Sequence, residues 1–165
     1  MSRQKRRSSS AASSHDDADG EAELRSIYAA LDARVAGLER NCQARTRCCR
    51  FQITGEHPLV TRAEARYMLK GVRASGRRAV SIRSDGACPL LKDDGRCSIY
   101  AFRPFGCRSH FCAAAGGMVA RREIADLIQR LTALDEKEGG DGPRSLPEAV
   151  AAGEREATSR RRRDR

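Results

Sequence analysis

Seven cysteines lie within one stretch of the chain: Cys42, Cys48, Cys49, Cys88, Cys97, Cys107 and Cys112. Thiolates are soft donors that suit zinc or an iron–sulfur centre, each typically held by four ligands. With His110, which falls between the last two cysteines, there are eight candidate ligands, enough for two such sites. The spacing is C-x5-C-C, then 38 residues, then C-x8-C-x9-C-x4-C. No C-x-x-C occurs, so ordinary zinc-finger, rubredoxin-like and thioredoxin-like readings fail on spacing. The adjacent pair Cys48-Cys49 adds a constraint. In extended chain neighbouring side chains point to opposite faces, so one metal is hard to bind with both.

Redox compartment decides what cysteines do. The start Met1-Ser2-Arg3-Gln4-Lys5-Arg6-Arg7 is basic but leads into Ser and Ala, with no apolar region of a secretory signal. The expectation is a cytoplasmic protein with reduced thiols. The odd number of cysteines excludes a complete set of internal disulfides. Buried free cysteines are ordinary small core residues, which would account for one or two but not for seven so close together. Metal chelation is therefore the primary reading.

The elements that must position these ligands are sparse. Leu, Ile, Val and Phe number 27 of 165 residues, and the formal charge is +10, a composition near the disordered range. Residues 1–20 and 139–165 read as disordered tails, the first Ser-rich and basic, the second Arg-rich; between them, 21–138 reads as the folded domain. Within 139–165, Ser145-Leu146-Pro147-Glu148 could start a short, frayed helix. Three helices are expected in the domain. The first carries Leu24, Ile27, Tyr28, Leu31, Val35 and Leu38 at helical spacing. The second begins at the capping box Thr61-Arg62-Ala63-Glu64. The third runs from about Val119 to Glu138, with a stripe of Ile124, Leu127, Ile128, Leu131 and Leu134, and stops at Gly139. Weak alternation suggests strands at 51–53 and 79–82, and Asp94-Gly95 marks a tight turn before Cys97. The fold class expected is a small, loop-rich α+β domain stapled by a cysteine-ligated metal centre. Four of the seven aromatic residues, Tyr100, Phe102, Phe105 and Phe111, fall among the last cysteines. They could form a shell that excludes water, or simply a small core.

Cys48-Cys49-Arg50, Leu59, Thr61, Cys88-Pro89-Leu90, Cys97-Ser98-Ile99-Tyr100, Arg103-Pro104 and Cys107-Arg108 together resemble the YkgJ-type cysteine-cluster proteins, over about residues 42–112. The resemblance implies a domain chelating zinc or iron. Flagellin lysine methylases carry a similar cysteine arrangement, so it also implies a possible iron–sulfur-dependent enzyme. The family's leading motif is C-x-x-C-x-x-C-C, and here Arg45 stands at its second cysteine position. The ligand set then has one member fewer, or Cys112 or His110 substitutes. Arg103 and Arg108 also match the family pattern; a cation beside thiolates would lower their pKa and offset their charge.

The remaining function classes have less support. No glycine-rich cofactor loop or acid–base pair accompanies the enzyme reading. The positive charge invites nucleic acid as a partner of an adaptor with a structural zinc. Arg160 to Arg163 is the one dense basic run, however, and no helix-turn-helix or RNA-binding signature supports it. No apolar run approaches the length of a membrane span. The expected ligand is Zn²⁺, or iron alone or in an iron–sulfur cluster. Nothing in the sequence names a protein partner.

Overall fold

The computed structural model describes residues 8–38 and 46–163. Cys42 and Arg45 lie outside the described residues. The architecture is mostly helical and loop-rich, with one two-stranded sheet. The helices are α1 (Ser8–Ala36), α2 (Phe51–Thr54), α3 (Arg62–Ala74), α4 (Phe105–Ser109), α5 (Ala125–Lys137) and α6 (Leu146–Arg163). The strands are β1 (Leu59–Val60) and β2 (Arg144–Ser145), paired antiparallel with Leu59 opposite Ser145 and Val60 opposite Arg144. Among the described residues, no helix is long and apolar enough to cross a membrane.

α3 organises the molecule, and its start is the capping box expected at Thr61. The Thr61 hydroxyl accepts from the Glu64 N–H, while the Glu64 carboxylate accepts from the Thr61 N–H at 2.9 Å. This satisfies donors that the first helical turn leaves without partners. Asp135, buried on α5, accepts the next N–H, that of Arg62, at 2.9 Å. Ala65, Met68, Leu69 and Val72 then bury one face of α3 against Leu146, Ala149 and Val150 of α6 and against Phe51, Leu90, Leu91 and Ile99. A second cluster joins Leu24, Ile27, Tyr28 and Leu31 of α1 to Leu127, Leu131 and Leu134 of α5, with Phe105 and Val119.

Four sequence expectations change. Residues 139–163 are not a tail: Ser145 donates its hydroxyl to Glu148 at 2.6 Å, and α6 runs 18 residues with Leu146, Ala149 and Val150 buried. Its stripe is short and partly alanine, so it carries little apolar weight in the sequence. α1 begins at Ser8, inside the stretch expected as the first tail. Residues 51–54 form the helical turn α2 rather than a strand, and 79–82 form no strand. The third helix starts at Ala125, after a 3₁₀ turn at Arg121–Glu123. With α6, α2 and α4 added to the three expected helices, helix dominates the sheet.

Candidate metal centre

Three separate pieces of chain deliver the cysteines. Cys48 and Cys49 sit on a 3₁₀ turn, Arg47–Cys49, entered through Thr46 in the left-handed region at φ 49°. Cys88 joins them directly, its N–H donating to the Cys49 carbonyl at 2.7 Å. That single bond closes the 38-residue gap between the two cysteine groups. Cys97 follows the expected turn. Gly95 takes φ 79°, Leu91 and Cys97 form an antiparallel bridge, and the Ser98 N–H donates to Leu90 at 2.9 Å. Cys107 sits on α4, one turn after Pro104, whose carbonyl accepts its N–H at 3.0 Å.

The thiols of Cys48, Cys49, Cys88, Cys97 and Cys107 lie within one another's electrostatic reach. Cys48 accepts a hydrogen bond from the Cys49 thiol, with His110, its own N–H and Arg103 adding positive character, and its pKa falls to about 6. Cys49, the donor in that bond, is pushed far up and keeps its proton. Burial raises Cys88 to about 11, opposed by the nearby backbone N–H groups of Leu90 and Leu91. Burial also raises Cys97, which accepts from the Ile99 N–H and feels Arg103. Cys107 is raised by burial first, then by Cys88 and Cys97.

The chemical meaning is that these thiols are too crowded and too dry to ionise together without added positive charge. A bound cation would supply it, taking the place of the protons and holding the thiolates. Nearby backbone N–H groups stabilise the anionic form in advance. The donor set therefore fits a soft metal. Among the described residues, no three Cys, His, Asp or Glu side chains are drawn tightly enough together to hold an ion as they stand.

The other expected site residues distribute differently. His110 ends α4, with Nδ1 4.0 Å from a Glu56 carboxylate oxygen, and it stands near Cys48. Cys112 caps the turn Ala113–Ala115, its carbonyl accepting from Ala115 at 2.8 Å and Gly117 at 3.1 Å. Arg103 stands beside the cluster, acting on Cys48, Cys97 and Cys107, with its guanidinium 3.7 Å from the Tyr100 ring centre. Arg108, expected to be a cation beside the thiolates, instead reaches away to Asp32 on α1 at 2.7 Å. The aromatic shell also disperses. Phe102 packs against the core that holds Cys88, Phe105 and Phe111 join the α1–α5 cluster, and Tyr100 is exposed.

The sequence marks Glu64 as a capping residue but does not show that it is buried near the segment bearing Cys107. Glu64 is fully buried and accepts from Tyr28 Oη at 3.0 Å, Thr61 Oγ1 at 3.1 Å and the Phe105 N–H at 2.7 Å. Its place in the capping box was the available signal. A capping glutamate is ordinarily exposed, and only the meeting of α1, α3 and α4 buries this one.

Comparison with known proteins finds one family. The CxxCxxCC family model, described as "Putative zinc- or iron-chelating domain", matches residues 40–134. That span is more than half of the chain and holds all seven cysteines, with α1 and α6 flanking it. No curated protein and no solved structure matches. The chain belongs to the CxxCxxCC family.

Proposed function

We propose that this CxxCxxCC-family member is a metal-binding protein in which a thiolate cluster of Cys48, Cys49, Cys88, Cys97 and Cys107 chelates zinc or iron, with Cys42 as a further candidate. The observation that carries this reading is the backbone tie across 38 residues, the Cys88 N–H donating to the Cys49 carbonyl, which seats Cys88 beside the Cys48–Cys49 turn and within electrostatic reach of Cys97 and Cys107. His110 and Cys112 are reserve ligands, and Arg103 offsets the charge of the cluster. The metal would supply the positive charge the thiols lack and so staple the loops at 46–54 and 87–107 to α3. Structural zinc contributes on the order of 10 kcal/mol to folding in small domains, which would offset the thin apolar core. The iron–sulfur enzyme and nucleic-acid adaptor readings gain no observation of their own.

The test is anaerobic purification followed by metal analysis and a visible absorption spectrum. The expected result is at least one zinc or iron per chain, lost when Cys88 and Cys107 are replaced by Ser. A chain that is purified metal-free, takes up neither zinc nor iron, and keeps its fold would overturn the reading.

A further inference from the structure

α1 lies outside the family-matched span, yet two hydrogen-bonded struts run from it to the segment bearing Cys97 and Cys107. The first begins at Tyr28, whose hydroxyl donates to Glu64 Oε1 at 3.0 Å. The same oxygen accepts the Phe105 N–H at 2.7 Å. Phe105 opens α4, two residues before Cys107. The second strut is the Arg108 guanidinium. It donates to Asp32 Oδ2 at 2.7 Å, to the Ala101 carbonyl at 2.7 Å and to the Arg103 carbonyl at 2.8 Å. Arg108 is next to Cys107 in sequence, so one side chain ties both ends of the 101–108 loop to α1. The struts also touch, because the Arg108 guanidinium lies over the Tyr28 ring, 4.3 Å from its centre. The loop is clamped from its other side by α3. A Cβ added at Gly71 would stand 2.5 Å from Phe102 Cγ, so backbone and ring meet there with no spare room.

We infer that α1 positions the metal centre, with Glu64 and Arg108 as positioning residues that set where Cys107 and Arg103 stand. Neither side chain bonds a thiol; each acts through the backbone it holds. A planar guanidinium with a fixed fork of donors can bond two carbonyls and a carboxylate at once, which a lysine ammonium on a flexible stem does less well. The inference rests on the metal-binding reading above.

The experiment uses the full chain, with Co²⁺ as a spectroscopic probe and Zn²⁺ affinity measured by competition with a chromophoric chelator. The variants are Arg108→Ala, Arg108→Lys and Glu64→Gln. The control is Arg130→Ala, because Arg130 ties α1 to α5 through Glu23 and Ser26 and touches no cysteine segment. Arg108→Ala is expected to weaken metal binding about tenfold or more, in the range found for groups that orient metal ligands, and to shift the Co²⁺ ligand-field bands. Arg108→Lys and Glu64→Gln are expected to give smaller shifts in the same direction. Arg130→Ala is expected to leave affinity and spectrum as in the native chain, with at most a small change in melting temperature because its ion pair is exposed. If Arg108→Ala does not fold, Arg108→Lys and Glu64→Gln carry the test. Native affinity and bands in both of those variants would overturn the inference, as would an equal change in Arg130→Ala. A native chain that takes up neither Co²⁺ nor Zn²⁺ would instead overturn the metal-binding reading itself.

Discussion

Around α1 and α5, Leu24, Ile27, Leu31 and Leu127 are almost wholly inaccessible, and each projects from a helix whose backbone hydrogen bonds are local. Around the cysteines the buried residues are Ala87, Cys88, Leu90, Leu91 and Ile99, carried on chain whose longest α-helix between α3 and α5 is the five-residue α4. That region depends on bonds between distant segments, such as Cys88 to Cys49 and Ser98 to Leu90. The helical region is thus complete in its own side chains. The cysteine region gathers thiols that would repel one another once ionised, and on the proposed reading a cation would settle them. On that reading one half folds by burial, and the other by burial plus ligation.

The comparison breaks or sharpens at four places. The largest effect is expected from Cys88→Ser, which removes the most buried of the described cysteines and one tied by its backbone to Cys49. Bound metal measured by elemental analysis should be lost, and with it much of a stabilisation on the order of 10 kcal/mol. Retained metal and an unchanged melting temperature would show that the cysteine half does not need ligation. Next, Leu31→Ala in the helical half should cost about 2–5 kcal/mol by leaving a cavity. Denaturant titration reads the loss, and below the transition the metal content should stay native.

Glu64→Gln joins the two halves and should cost about 1–3 kcal/mol, the range for disturbing a buried hydrogen-bonded group. It should also change the pH dependence. Burial raises the Glu64 carboxyl above its ordinary value, opposed by the N–H groups of Thr61 and Phe105 and the Tyr28 hydroxyl. The folded state therefore holds this proton more tightly than the unfolded state. Its contribution is fully present below the unfolded carboxyl range, at about pH 4, and is lost as pH rises through the raised native value. Stability of the native chain relative to Glu64→Gln should fall over that window, and a constant difference across it would contradict the assignment. The smallest effect belongs to Arg34→Ala. Its pair with Asp126 is well formed at 2.6 Å but open to solvent, so the melting temperature in physiological salt should not move measurably.

Parts of this arrangement were legible because local chemistry decides them. The capping box at Thr61 and Glu64 starts α3 as its spacing requires, and Asp94-Gly95 makes the turn that returns Cys97 to Leu91. The stripes of α1 and α5 read directly as helix faces. The start of α6 at Ser145–Glu148 was legible, but its length was hidden because its buried face is one leucine, one valine and small residues, and because the Arg run at its end looks like a solvated tail. The cysteine spacing and its family resemblance pointed to chelation, and the family match agrees. Which thiols meet was not legible, because it depends on a bond across 38 residues. The direction of Arg108 was equally hidden. Adjacent to a cysteine, it reads as a partner of sulfur, and only the nearby Asp32 and Tyr28 of α1 turn it the other way.

The most direct test of the central claim is amide hydrogen exchange on the full chain, with metal bound and after complete removal by a chelator. If ligation completes the cysteine half, metal removal should erase protection at residues 87–107 while residues 24–31 and 127–134 keep theirs. Identical exchange across 87–107 in the two states would contradict it.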